Sequence, residues 1–257
     1  PPFATPQNNV GGLLKWSARI PKTLYGRENE LAALNHWCTR SNPGRDISVM
    51  VMHGVGGAGK TRLAFEFAEA LAGQGWQVGQ LSDPANPVAF VLPAQAAGVL
   101  LIIDYPEQHH QALQDLLKAL AGSNYPGCLR VLLLCRKHEL AQLIEGIAPE
   151  LLAPSLALSA LENQANAWAM FCDGFQIMKQ ALADAATAAS SGAAQNQQPM
   201  NEEAFAQWLL RDPYHAEPLI ILAFALNLAY DTAAHTLGRA EIIQALVRRE
   251  RMRIARE

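Results

Sequence analysis

Cysteine is scarce in this chain. Cys38, Cys128, Cys135 and Cys172 form no CxxC pair, and no histidine stands at zinc-ligand spacing from them. This argues against a disulfide framework and a zinc module, and predicts buried, reduced thiols in a cytoplasmic protein. Charge of one sign is scarce as well. Twenty basic and 23 acidic side chains leave a net charge of −3, so nothing in the balance calls for nucleic acid or another polyanion as partner. Long apolar runs are missing too. The longest, PLIILAFALNLAY over 218–230, falls short of the ~20 residues that span a bilayer and reads as a buried helix. The opening PPFATPQNNV lacks the charged-then-apolar layout of a secretion signal. It also lacks an initiator Met, so a piece of a longer protein is expected.

What is present is an alternation. ISVMVMH (47–53), GVLLIIDY (98–105) and LRVLLLCR (129–136) are apolar runs of buried-strand length. WQVGQLS (76–82), AFVL (89–92) and SLALSAL (155–161) are weaker strand candidates. Helical spacing separates them at 29–38, 60–73, 109–122 and 138–147. Strand and helix in turn predict a parallel sheet with helices on both faces. From about 161 the pattern is all helix, with segments near 202–211, 217–230 and 238–256. A Ser, Ala and Gln rich stretch near 185–200 reads as a mobile surface loop. The expected organisation is an extended, Pro-rich lead-in over 1–22, a sheet domain over 23–160 and a smaller helical lid domain over 161–257.

The stretch HGVGGAGKTRLA (53–64) carries the chemistry. Gly54, Gly56, Gly57, Gly59, Lys60 and Thr61 fit GxxxxGK[ST] between a strand and a helix, which is the phosphate loop of P-loop NTPases. Glycines there let successive backbone N–H groups turn inward around a phosphate. The helix N-terminus adds partial positive charge. Lys60 can reach the β- and γ-phosphates, and the Thr61 hydroxyl is a ligand for Mg²⁺. Asp104 closes VLLIID at the same sheet edge and is expected to hold Mg²⁺ through a water. Glu107, in DYPE, could orient or deprotonate the attacking water, or be a solvated helix-start carboxylate. Arg136, ending RVLLLCR, could touch the γ-phosphate, or pair on the surface with a carboxylate. The weak strands ahead of Asp104 predict a P-loop sheet with an additional strand, in the order 5-1-4-3-2.

LYGRENELAALNHWC (24–38), ahead of the phosphate loop, together with LLIIDYPE and RVLLLCR, resembles the STAND class of signalling ATPases, which includes NACHT and NB-ARC domains. The resemblance covers roughly residues 20–256. It implies that Gly26-Arg27-Glu28 lies beside the base and ribose and that Arg62 belongs to the nucleotide site. It also implies that Arg136 is the sensor arginine after the Asp104 strand. In HAEPLIILAFAL (215–226), it makes Pro218 the residue packed against adenine, with Ala216 where a glycine is usual. DYPE is neither the double acid of NB-ARC nor the longer acidic stretch of NACHT, and is nearer to bacterial branches of the class. The implied function is an ATP/ADP switch that uses Mg²⁺ and hydrolyses ATP slowly. Its domains rearrange and self-associate in the ATP state, within a protein whose effector and sensor domains lie outside this sequence. Defence or stress signalling in bacteria is the implied context. Two other readings stand beside it: an AAA+-like ATPase acting on nucleic acid, and a structural module that holds nucleotide without hydrolysing it. A basic face for nucleic acid would have to come from Arg249, Arg253 and Arg256, which Glu250 and Glu257 dilute, so nucleic acid is not expected, and neither is a membrane partner.

Overall fold

The computed structural model describes residues 9–40, 46–81, 96–123, 125, 127–136, 139–187 and 200–255. The strand candidate at 89–92 and the centre of the loop near 185–200 lie outside them. In chain order the elements are α1 (Val10–Leu14), α2 (Glu28–Thr39), β1 (Ile47–His53), α3 (Lys60–Ala72), β2 (Gln77–Gln80), β3 (Val99–Asp104) and α4 (His110–Gly122). Then follow β4 (Leu129–Cys135), α5 (Glu139–Ile147), β5 (Leu156–Ala157), α6 (Gln164–Thr187), α7 (Glu202–Leu210), α8 (Pro218–Tyr230) and α9 (Arg239–Ile254). The chain divides into two compact units. One comprises 1–26, 57–59 and 159–257, and the other 27–56 and 60–158.

In the second unit five parallel strands run in the order β2-β3-β4-β1-β5. This is the expected order, read from the opposite edge. β4 is buried along its whole length and sits at the centre, which is why its sequence is continuous rather than alternating. One face of the sheet packs on Leu113 and Leu117 of α4 and on Leu140 and Ile144 of α5. β5 has two residues instead of the expected seven. Pro154 cannot donate to a ladder, so the segment 152–158 follows β1 only in part. It bonds through Ala153 N–H to Val49 O, the pairing of 156–157, and Leu158 N–H to His53 O.

Arg130 is the unexpected member of β4. It is 1% exposed. Its guanidinium donates to the carbonyl oxygens of Trp37, Cys38 and Arg40 at the end of α2, and to those of Asp46 and Leu129. It also pairs with the Asp46 carboxylate at 2.6 Å. Carbonyls at a helix C-terminus have no partners within the helix. Arg130 therefore caps α2 and ties it to the start of β1 and β4.

Burial pushes the Cys38 thiol up to about 12, against the pull of Arg130, and Cys128 up to about 11. At pH 8 only about one Cys38 in 10⁴ is then thiolate, the nucleophilic form. Iodoacetamide at pH 8 is expected to leave Cys38 unmodified in the native protein and to label it once the sheet unit unfolds. Native labelling at the rate of a free thiol, read by peptide mass, would contradict this burial.

The first unit has its own core. α8 is apolar around its circumference and buried almost throughout, as a central helix must be. α6 packs along it, and Phe171, Phe175, Phe205, Trp208 and Phe224 join in one aromatic cluster. The His215 ring stacks on Trp208 at 4.1 Å and its Nδ1 donates to Trp208 O at 2.7 Å. Residues 1–22 are not an extended lead-in where they are described. The Asn9 side chain accepts from Gly12 N–H and starts α1, and Leu13 is buried in this core. Two leucines one turn inside a capped start outweigh the two glycines between them.

Candidate functional site

The phosphate loop leaves β1 at His53 and enters α3 at Lys60. Gly57 and Gly59 both sit at φ 92°, a region open to glycine. A Cβ added at Gly56 or Gly59 would meet nothing within 4 Å, so open space faces the loop there. Gly54 is the reverse case, since a Cβ would stand 2.4 Å from Leu158 O. Gly54→Ala is expected to destabilise the sheet unit by about 1–3 kcal/mol, the usual cost of forcing atoms into a packed site. It should also weaken nucleotide binding, because the loop cannot shift without moving its first turn. Thermal melting and titration with ADP test both effects, and a wild-type melting temperature would contradict the first.

Lys60 Nζ donates to the carbonyl oxygens of Gly54 at 2.6 Å and Val55 at 2.9 Å, curled into its own loop. Phosphate oxygens would take over these hydrogen bonds. Thr61 Oγ1 donates to Asp104 Oδ2 at 3.0 Å, so the two expected Mg²⁺ residues stand side by side at one sheet edge. Burial lowers the Lys60 pKa, with Asp104 opposing. Burial raises that of Asp104, against the Thr61 hydrogen bond, the Tyr105 N–H and the Lys60 charge. A half-buried cation in an open glycine cradle and a half-buried anion beside a hydroxyl fit a phosphate chain and Mg²⁺ respectively.

Beside Asp104 lies a cavity of about 550 Å³. Tyr105, Glu107, His110, Arg136 and Glu139 are among its lining residues. Glu107 and Arg136 thus face one space, next to the Asp104 end of the site. Tyr105 lies at φ 52°, ψ 47°, in the left-handed region that non-glycine residues occupy at a cost of order 1–3 kcal/mol. Its side chain is 41% exposed, and the Arg136 guanidinium sits over the ring at 5.7 Å.

The remaining expected residues are placed differently. Arg27 is buried and pairs with Glu30 at 2.9 Å, and Arg62 is buried and pairs with Glu66 at 3.3 Å. Gly26 lies in the first unit at φ 61°, where a Cβ would stand 2.9 Å from Asn166 Nδ2. Pro218 is the first residue of α8 and is buried. Sequence reading missed two residues next to it. Leu219 N–H donates to Gly57 O at 3.3 Å. Glu217 is buried, and its Oε2 lies 3.5 Å from where a Gly57 Cβ would be. Burial raises its pKa while Arg239 pulls it down. A glutamate before proline at a helix start gives no sequence signal of such burial. Among the described residues no cluster of His, Cys, Asp and Glu could hold a metal ion by itself.

A glycine loop opening onto Lys60 and Thr61, with Asp104 beside them on a parallel sheet of this order, defines a P-loop nucleotide-binding fold. Residues 23–222 match the AAA ATPase domain, and the chain belongs to that family. No curated protein matches the chain in sequence. Its fold is similar to that of Aeropyrum pernix ORC1 in complex with DNA, at TM-score 0.56 and 12% identity over 96% of this chain and 71% of that one. It is also similar to Aeropyrum pernix ORC2 in its ADP form, at 0.53 and 16% over 92% and 72%. A Thermotoga maritima RuvB mutant matches at 0.54 and 15% over 90% and 72%. At these identities the likeness is one of fold.

Proposed function

We propose that this AAA ATPase domain is the ATP/ADP switch of a STAND-type signalling protein. In this reading it binds nucleotide through the phosphate loop, hydrolyses ATP slowly, and self-associates in the ATP state under the control of sensor and effector domains outside this sequence. The observation that carries the reading is Lys60, Thr61 and Asp104 at one sheet edge, with Arg136 and Glu107 on the adjoining cavity. Bound Mg²⁺ would supply charge neutralisation on the phosphates, held by Thr61 directly and by Asp104 through water. Lys60 and Arg136 position the phosphates, and Glu107 orients water. By the family resemblance, Gly26 and Arg27 serve the base and ribose, Pro218 packs against adenine, and Arg62 belongs to the nucleotide site. No described helix is long and apolar enough to cross a membrane. The narrower assignment rests on Gly26-Arg27-Glu28 and Pro218.

Light scattering tests the switch. A monomer with Mg²⁺·ADP and a larger assembly with Mg²⁺·ATPγS are expected. One mass in both, with rapid constitutive turnover, would overturn the switch. Glu107→Gln is expected to slow single-turnover hydrolysis by about 10²-fold, the low end for a lost general base. An unchanged rate would favour a module that only holds nucleotide.

The likeness to a DNA-bound ORC1 favours a second reading, an ATPase acting on nucleic acid. The expected basic face is partly engaged already. The Arg249 guanidinium lies over the Tyr230 ring at 4.6 Å, and Arg253 pairs with Glu250 at 2.9 Å; residue 256 lies outside the described residues. DNA affinity that falls steeply with salt would establish this second reading.

A further inference from the structure

The turn after Asp104 is unusual in two ways. Tyr105 precedes Pro106, and a residue before proline ordinarily takes an extended backbone. It takes the left-handed conformation instead, which glycine or asparagine would adopt at lower cost. The conformation is held from both sides. Tyr105 N–H donates to Leu134 O and to Asp104 Oδ1, each at 3.1 Å, and Pro106 is buried at the start of the 3-10 turn Pro106–His109. A bulky residue kept at such a position points to work for its side chain. That side chain is not in the core. It stands half-exposed at the cavity beside Asp104, with the Arg136 guanidinium over its face.

We propose that Tyr105 is the positioning residue for Arg136: the strained turn after Asp104 presents an aromatic face that holds the guanidinium at the phosphate end of the site. Arg136 directly follows β4 and its side chain is exposed. An exposed arginine samples many rotamers, and fixing it before nucleotide arrives reduces the entropy lost when it meets a phosphate. A ring within ~6 Å supplies that restraint without neutralising the charge, as a carboxylate would. The same turn leaves the Asp104 carboxylate bonded to both the Thr61 hydroxyl and the Tyr105 N–H. One residue therefore orients the arginine through its ring and the metal-site carboxylate through its backbone. The inference rests on the reading of Arg136 as a phosphate contact.

The test uses Tyr105→Phe, Tyr105→Ala, Arg136→Ala and the double variant Tyr105→Ala/Arg136→Ala. Two readouts are followed: the ratio of Mg²⁺·ATPγS to Mg²⁺·ADP affinity, and the order parameter of the Arg136 Nε by NMR. Arg136→Ala is expected to lower the ratio about 10-fold, as for loss of one charged hydrogen bond. Tyr105→Ala should lower it about threefold, as for loss of an exposed cation–π contact, and Tyr105→Phe should retain it. The double variant should fall no further than Arg136→Ala, since the two act as one unit. Tyr105→Ala should also loosen the Arg136 Nε, and Tyr105→Phe should not. If Tyr105→Ala leaves the Nε order unchanged, or if the two losses add, the proposal is wrong. If Arg136→Ala leaves the ratio unchanged while Tyr105→Ala still loosens the Nε, the positioning stands and the phosphate role of Arg136 falls. Tyr105 is exposed enough for these variants to fold, and a melting curve for each confirms it.

Discussion

Lys60→Ala is expected to weaken binding of ADP and ATPγS by at least about 100-fold, the scale on which a charged donor to phosphate is lost from a preorganised site. The variant should stay folded. Lys60 Nζ bonds only loop carbonyls in the described structure. Gly54 and Val55 lie at the surface end of β1, where water can replace the ammonium. Melting within about 1 kcal/mol of wild type is therefore expected, as for substitutions outside the core. Calorimetric titration with each nucleotide reads the first effect and thermal denaturation the second. Lys60→Arg should not restore binding, because the planar fork is larger than the ammonium and the loop has shaped itself around the smaller group. Binding within a few-fold of wild type in Lys60→Ala would mean that nucleotide sits elsewhere.

Arg130→Ala has the largest expected effect on folding. It removes the cap from α2 and leaves the Asp46 carboxylate and buried carbonyl oxygens without their donor. Breaking a buried charged network of this kind costs about 3–5 kcal/mol. At about 2–4 °C per kcal/mol for a chain of this size, the sheet unit should melt roughly 10 °C lower. Arg130→Lys should recover only part, since three donors on one point cannot reach five carbonyls spread over the end of α2, Asp46 and Leu129. Circular dichroism melts of the three proteins test this. A loss under 1 kcal/mol in Arg130→Ala would show that α2 is held by Leu34 and Trp37 alone.

The residues that the structure brings together at the candidate site, Lys60, Thr61 and Asp104, stand out in the sequence because their pattern is local. The phosphate loop needs glycine, lysine and threonine at fixed spacing, and an apolar run ending in Asp104 marks the neighbouring strand. The strand order followed from the weak candidates at 76–82 and 89–92, of which the structure shows the first as β2 beside β3, while the second lies outside the described residues. What could not be read depends on contacts distant in sequence. Arg130 looks like one basic residue in an apolar strand, and nothing nearby announces acceptors some 90 residues earlier. Buried Glu217 lies beside Gly57, far away in sequence but near in space. Helix α1 was hidden by its glycines, although Asn9 as a cap and the Leu13-Leu14 pair were the available signal. The left-handed turn at Tyr105 runs against the ordinary preference of a residue before proline, so local rules predict the wrong conformation there. Local rules tend to fail at sites where function is built, and this one lies directly after Asp104, the carboxylate proposed to hold Mg²⁺.

The reading proposed above makes this chain a nucleotide-held switch. The most direct test is to denature the purified protein and identify what it releases by chromatography, with Lys60→Ala beside it. About one ADP per chain is expected from the wild type and none from the variant, as a closed resting state requires. Release of no nucleotide, together with only weak uptake of added ADP, would contradict it and leave the phosphate loop without a resident ligand.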